Sequence, residues 1–404
     1  MLSRPAAPTR PRDTEPAGTP DAATAWWRPA LLFTGVAVVV WAVAWASVAH
    51  LPQSPTYPGA RYFRHQPWFA GWARWDAGWY REIAEYGYSL VPDRQSTVAF
   101  FPAYPMAMRA LATVVGSTLV AGIVLTAAAG LTAAVAFWAW CRERVPPKAA
   151  WSALALLLLF PYAYYIYGAV YADALFVAAG LGAFLLLEHD RPWLAGLAGA
   201  VATAARPLGV VVAVGLVARV LERRQVLSLR PPRRLHLDRL RANDAGVLVS
   251  LAGLAAYCLF LAVRFDDPFA FATVERYWGQ GAGPRTWFKV GFFENVTNLD
   301  DRPAWLAYVA HPVVTVVALA LVPRVFRRFG WGYGVYSLLA VGLAAFGTKD
   351  FFGMGRYALA AFPCFAVAGE LLADRPRLRN GALAAGGAGL VVMTSFFARG
   401  SYLS

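Results

Sequence analysis

STLVAGIVLTAAAGLTAAVAFWAW, residues 117–140, runs without a single charged side chain and is followed at once by Arg142, Glu143, Arg144 and Lys148. A membrane crossing needs roughly 20 apolar residues, with about 17 as a lower limit. This stretch therefore reads as a transmembrane helix that ends on a basic cluster. The same reading applies to ALLFTGVAVVVWAVAWASVAH at 30–50, and to the apolar runs at 149–160, 171–187 and 245–263. The chain is 59% hydrophobic and 15% charged, whereas soluble domains carry about 25% charged residues. So much apolar sequence, gathered in runs, excludes a water-soluble globular domain.

The net charge of +14 does not indicate nucleic acid, because it is divided among short segments between apolar runs. That division is the positive-inside pattern. With the N-terminus inside, beside Arg4, Arg10, Arg12 and Arg28, the chain crosses outward at 30–50 and returns at 117–140. Further crossings follow at 149–163, 171–188, 193–205 and 207–221, where Arg223 to Arg241 form the most basic segment. The last crossings fall at 245–263, 304–322, 333–347, 357–373 and 382–398. Every short basic cluster then lies on one side, which supports about eleven spans. The expected fold is an all-α, polytopic membrane helical bundle in the cell membrane. Residues 1–29 read as a disordered cytoplasmic N-terminus, and 30–404 as one transmembrane domain. Loops 51–116 and 264–303 fall outside. The segment 98–116, interrupted by Arg109, reads as a helix lying in or dipping into the interface. The run at 30–50 is longer than a cleavable signal sequence and reads as a retained anchor.

Four groups could carry chemistry, the fourth being the loop Asp266-Asp267-Pro268-Phe269 through Glu275-Arg276-Tyr277-Trp278, which could also be a helix start with an acidic cap. The first runs Arg74-Trp75-Asp76-Ala77-Gly78-Trp79-Tyr80 and on to Gly87-Tyr88. At 100° per residue, Trp72, Trp75, Trp79, Ile83 and Tyr86 fall on one face, with Arg81 and Glu85 opposite. Such a helix would lie flat on the bilayer with Asp76 on its flank, at headgroup level. The second is Tyr171-Ala172-Asp173-Ala174-Leu175-Phe176, where Asp173 opens an otherwise uncharged span. The third is a set of outer-side cations, Arg206 before Pro207, Lys349, and Arg356 before Tyr357; arginine's planar donor fork suits phosphate. Trp75, Trp79, Tyr80, Tyr171 and Arg276, the last in the loop Asp266 to Trp278, are candidate substrate contacts. Gly279-Gln280-Gly281-Ala282-Gly283 lacks the strand–turn–helix setting of a nucleotide loop and reads as a flexible turn. Cys141, Cys258 and Cys364 show no zinc or disulfide spacing, the five histidines are scattered, and Asn295-Val296-Thr297 has sequon form.

Trp75-Asp76 through Gly87-Tyr88, Phe100-Phe101-Pro102-Ala103-Tyr104-Pro105, Tyr171 to Phe176, Ala205-Arg206-Pro207-Leu208-Gly209 and Arg356-Tyr357 resemble, in matching order, the PIG-V family of mannosyltransferases. The resemblance covers most of residues 70–365. It implies a GT-C enzyme with catalysis in the first outer loop. It also implies a sugar donor carried on polyprenyl or dolichyl phosphate and a lipid- or glycan-linked acceptor. Asp76 matches the family's catalytic acid, Asp173 an acidic position of a Tyr-Ser-Glu-like motif, and Arg206 and Arg356 arginines near the site. Trp79 stands where the family often has His, Ala172 where it has Ser, and Pro207-Leu208 where it has Ser-Asn; these departures bear on the acceptor.

The expected activity is transfer of mannose, with inversion, to an extracytoplasmic acceptor. No cofactor is expected, and a divalent metal between the two acids is not predicted. The expected partners are the lipid-linked donor, the acceptor and membrane lipids, with no nucleic acid. A GT-C enzyme using another sugar is an alternative reading. A transporter or lipid flippase is another, but it would place charges near the midplane and repeat its halves, whereas these charges gather toward one face.

Overall fold

The computed structural model describes residues 27–55, 62–227, 235–281, 283–297 and 302–403. Residues 1–26 of the expected disordered N-terminus lie outside the described residues. The described residues form helices and turns with no strand; Leu227 and Leu235 make an isolated antiparallel bridge.

Each expected crossing is met by helix. Trp27–His50, Thr118–Arg142, Ala242–Phe265, Tyr308–Phe329 and Pro376–Ala398 are long and apolar enough to cross a membrane by themselves, and Met354–Ala360 with Phe362–Ala373 forms one broken span bent by 81°. Their outer faces carry Leu31, Val39, Val263 and Val316, all more than half exposed, as lipid-facing helices require. This is a multi-pass membrane bundle.

The remaining apolar helices are shorter: Pro147–Leu158, Asp173–Glu188, Pro192–Ala205, Val210–Arg223 and Trp331–Gly347. A 14-residue helix rises about 21 Å, against a hydrocarbon core of about 30 Å. These helices stop short where the chain turns irregular at residues 159–172, 206–209 and 348–353. Irregular backbone at membrane depth survives only inside protein or along a cavity. The 159–172 segment meets that condition, since Tyr162, Tyr164, Tyr165, Tyr167 and Tyr171 are all buried. Its backbone is satisfied by distant partners. Trp41 Nε1 donates to the Tyr167 carbonyl at 2.9 Å, and the Val170 amide to the Trp72 carbonyl at 3.1 Å. Gly168 is required here, because a Cβ would stand 2.8 Å from the Trp72 ring.

The basic clusters gather at one end. Arg144 pairs with Glu188 at 3.2 Å, Arg219 with Glu188 at 2.6 Å, Arg328 with Glu370 at 2.9 Å and Lys148 with Asp374 at 3.0 Å.

One expectation for the first loop changes. The helix begins at Ala77, and Trp75 just before it takes φ +51°, so Trp72 and Trp75 never join its face. Trp72 is fully buried against Trp41 and Gly168. The helix Ala77–Tyr86 turns Ala77, Tyr80, Ile83 and Ala84 into the protein and leaves Tyr86 exposed. The tryptophans therefore serve packing, because an apolar stripe buries itself against any neighbouring protein surface before lipid is needed. The structure gives Arg109 a partner within the same loop. The helix Ala103–Val115 has 13 residues, too few to cross. Arg109 donates from Nε to the Ala84 carbonyl at 2.6 Å and from Nη2 to Ile83 at 3.2 Å, satisfying carbonyls at the end of the preceding helix.

The second loop folds onto the first. Val98 and Phe101 from the first pack with Tyr257, Leu261, Ala270 and Val274, and Tyr257 Oη donates to the Val98 carbonyl at 2.7 Å. Residues 398–401 return to the same place: Arg74 Nε donates to the Ala398 carbonyl and Trp75 Nε1 to that of Ser401.

Candidate active site

Asp76 is the N-cap of Ala77–Tyr86, yet its carboxylate makes no capping bond. The carboxylate instead accepts from Arg356 Nη1 at 3.2 Å, while the Asp76 amide donates to Tyr171 Oη at 3.2 Å. Burial pushes the Asp76 carboxyl above its ordinary range; the Arg356 charge and hydrogen bond pull it down by less.

Arg356 sits in the one-turn helix Met354–Tyr357, entered through Gly353 at φ +74°. Its guanidinium stands over the rings of Tyr357 and Tyr171, 5.4 and 5.5 Å from their centroids. Its Nε is buried and has no partner. The turn is held from behind by His311. The Gly355 amide donates to Nδ1 at 3.0 Å, which leaves the proton on Nε2 to donate to the Leu403 carbonyl at 3.1 Å.

Arg206 follows the helix Pro192–Ala205 in extended conformation, as a residue before proline must. It bonds the buried Asp173, the first residue of its helix, and lies 4.7 Å from the Tyr357 centroid. The other Asp173 oxygen is buried without a partner.

These groups surround one cavity of about 640 Å³, lined among others by Asp76, Tyr80, Arg206, Glu275, Trp278 and Arg356. Asp173 stands behind Arg206, and Tyr171 behind Asp76. Phe100 and Trp278 form the aromatic wall; Trp79 backs it without lining the cavity, stacked on Phe100 at 5.8 Å and edge-on to Trp278 at 5.6 Å. Trp75 contacts Tyr402 and Ser401 beside the cavity rather than lining it.

Lys349 and Arg276 are not brought into the site. Lys349 is exposed and contributes its backbone amide, bonded to Gln280 Oε1 at 2.8 Å. Arg276 is exposed and bonds Tyr277 Oη at 2.8 Å. The loop turns its neighbour Glu275 inward instead. Glu275 and Trp278 belong to the candidate loop Asp266 to Trp278, from which Arg276 is the expected substrate contact; Gln280 and His311 carry no expected role. The spacing of Glu275 and Trp278, three residues apart in a turn-rich aromatic loop, was the available signal.

No protein-family model matches the chain, and no curated protein matches it. Solved structures of one archaeal enzyme do match. The Archaeoglobus fulgidus oligosaccharyltransferase in complex with Zn and sulfate superposes at 15% identity and TM-score 0.49, over 91% of this chain and 53% of that one. The same enzyme tethered to an acceptor peptide containing the NVT sequon superposes at 15% identity and 0.47, over 94% and 56%. Its complex with an inhibitory peptide and a dolichol-phosphate gives 13% and 0.45, over 92% and 56%. The chain spans about half the length of these structures.

Chemically, a carboxylate raised toward neutrality can accept a proton, and two guanidiniums on the same cavity can neutralise an anion. Burial, with the Asp76 charge next, pushes Glu275 up to about 7 from 4.5. The folded protein therefore holds a proton that the unfolded chain releases, and stability falls as pH rises through that window. Glu275→Gln is expected to flatten the fall in unfolding temperature between pH 4.5 and 7, measured in detergent. An unchanged slope would show that Glu275 titrates normally.

Proposed function

We propose that this chain is a membrane glycosyltransferase of the GT-C class that moves mannose from a polyprenyl-phosphate donor to an extracytoplasmic acceptor, inverting the anomeric centre. The observation that carries the reading is the 3.2 Å contact between Asp76 and Arg356 on a cavity that Arg206 also lines. Proton acceptor and anion-stabilising cations thus face one space among membrane helices.

In this mechanism the acceptor hydroxyl oxygen attacks the anomeric carbon as the bond from that carbon to the phosphate oxygen breaks. The hydroxyl proton passes to Asp76. The bonding pair leaves with the polyprenyl phosphate, whose added charge meets Arg356 and Arg206. Preorganised donors of this kind act without reorganising solvent. Arg356 links the two halves of the reaction: donor phosphate would draw its guanidinium from Asp76 and release the carboxylate to act as base. Asp173 fixes Arg206 in the cavity. Nucleotide sugars are cytosolic, so an outward-facing site calls for a lipid-linked donor.

The test is incubation of purified protein with several polyprenyl-phosphate sugars and membrane lipids, with products read by mass spectrometry. A mannosylated product from polyprenyl-phosphate mannose is expected; transfer from none of the donors overturns the reading. Arg356→Ala is expected to lower transfer roughly 10²–10³-fold, with donor use affected more than acceptor use. A defect confined to the acceptor would move the phosphate site elsewhere.

A further inference from the structure

The second loop supplies a wall of the cavity that the proposed chemistry leaves unassigned. Glu275 and Trp278 belong to the 3₁₀ turn Val274–Trp278. Residues i and i+3 eclipse in such a turn, so both side chains project the same way, and both line the cavity. Trp278 is fixed edge-on against Trp79 and Phe100, at 5.6 and 5.9 Å. No hydrogen bond or ion pair joins the Glu275 carboxyl to another described residue, whereas Arg356 is bonded to Asp76 and Arg206 to Asp173. Gln280, also on the cavity, accepts the Lys349 amide through Oε1, which leaves its amide nitrogen as a donor.

We infer that Glu275, Trp278 and Gln280 form a subsite for a polyhydroxylated sugar ring, with Trp278 against its C–H face and the carboxyl and amide on its hydroxyls. This rests on the transferase reading and adds what holds the sugar. The chemistry divides the cavity. A phosphate is repelled by Glu275 and attracted by Arg206 and Arg356, which line the same cavity, while hydroxyls need the mixed donor and acceptor set that the second loop presents. A site built to bond hydroxyls discriminates strongly against a ligand that lacks them. The sugar held here belongs either to the donor or to a glycan acceptor.

The test uses the full chain in nanodiscs, with polyprenyl-phosphate mannose, sugar-free polyprenyl phosphate and methyl α-mannoside as probes. If the ring is the donor's, wild type binds the mannosylated lipid more tightly than the sugar-free one. Glu275→Gln then removes that preference, weakening the mannosylated lipid about tenfold and leaving the sugar-free lipid unchanged. If the ring is the acceptor's, methyl α-mannoside binds to donor-loaded wild type and Glu275→Gln loses it by a similar factor. Trp278→Leu should follow Glu275→Gln in either case, and both variants must keep the wild-type affinity for sugar-free lipid, which certifies their fold. Glu275→Gln with wild-type binding of every probe overturns the subsite. Equal weakening of sugar-bearing and sugar-free lipid overturns it too, by placing Glu275 in the phosphate site. Wild type that binds both lipids equally and no methyl α-mannoside overturns the subsite while the lipid-phosphate reading stands. Wild type that binds neither lipid removes both.

Discussion

Asp76→Asn is expected to lower sugar transfer about 10²–10⁴-fold, the usual contribution of a positioned base, with folding unimpaired. Asparagine keeps the shape of aspartate and an oxygen to accept from Arg356, so the 3.2 Å contact and the turn into Ala77–Tyr86 survive. What disappears is the capacity to take a proton. Stability should hold or rise, because the wild-type carboxyl is displaced upward by burial and the amide carries no such penalty. The pH profile gives a second check. A base must be ionised, and a raised carboxyl loses ionisation at a higher pH than the ordinary 3.8. Wild-type activity should therefore fall on acidification earlier than for an exposed aspartate, while the residual activity of the variant stays flat over that limb. Transfer at the wild-type rate by a folded Asp76→Asn protein would remove the base from the mechanism.

The next largest effect concerns the buried pair behind the cavity. Asp173 is 2% exposed and stands behind the cavity lining, so its carboxylate finds no water if Arg206 is lost. Removing one partner of such a pair costs about 3–5 kcal/mol, whereas replacing both by apolar residues of similar volume is often neutral. Arg206→Met should therefore destabilise by about 3–5 kcal/mol, read from unfolding in detergent, and Asp173→Leu with Arg206→Met should recover most of the loss. The double variant separates stability from function. It should fold and still fail in transfer, since the cavity has lost one of its two arginines. Full transfer by the folded double variant would leave the leaving-group charge to Arg356 alone.

The two arginines differ in how far sequence could place them. Arg206 before Pro207 announces a break in an apolar run, and the proline forces the extended backbone found there. Arg356 follows Gly353 and Gly355, which marks a turn, but nothing local says that the turn meets Asp76, 280 positions earlier. Lys349 shows the converse error. A cation between two apolar runs looked equivalent to Arg356, yet the residues from Asp350, at φ +51°, through Gly353 turn the chain so that one reaches the cavity and the other faces outward. Arg276 and Glu275 are a similar case: in a short 3₁₀ turn, adjacent side chains point about 120° apart, so a one-residue difference in register exchanges the exposed member for the half-buried one that lines the cavity.

Sequence alone determined the multi-pass helical bundle, the gathering of basic clusters at one end and the candidate residues Asp76, Asp173, Arg206 and Arg356. Hydrophobic length and charge placement are properties of short windows, and lipid enforces them one segment at a time. Tertiary structure decided which acid meets which arginine, that Trp72 plugs the core instead of resting on lipid, and that the second loop delivers Glu275 and Trp278. Those outcomes follow from packing between segments far apart in the chain, where a close approach such as Gly168 on Trp72 orients side chains that local periodicity treats as interchangeable.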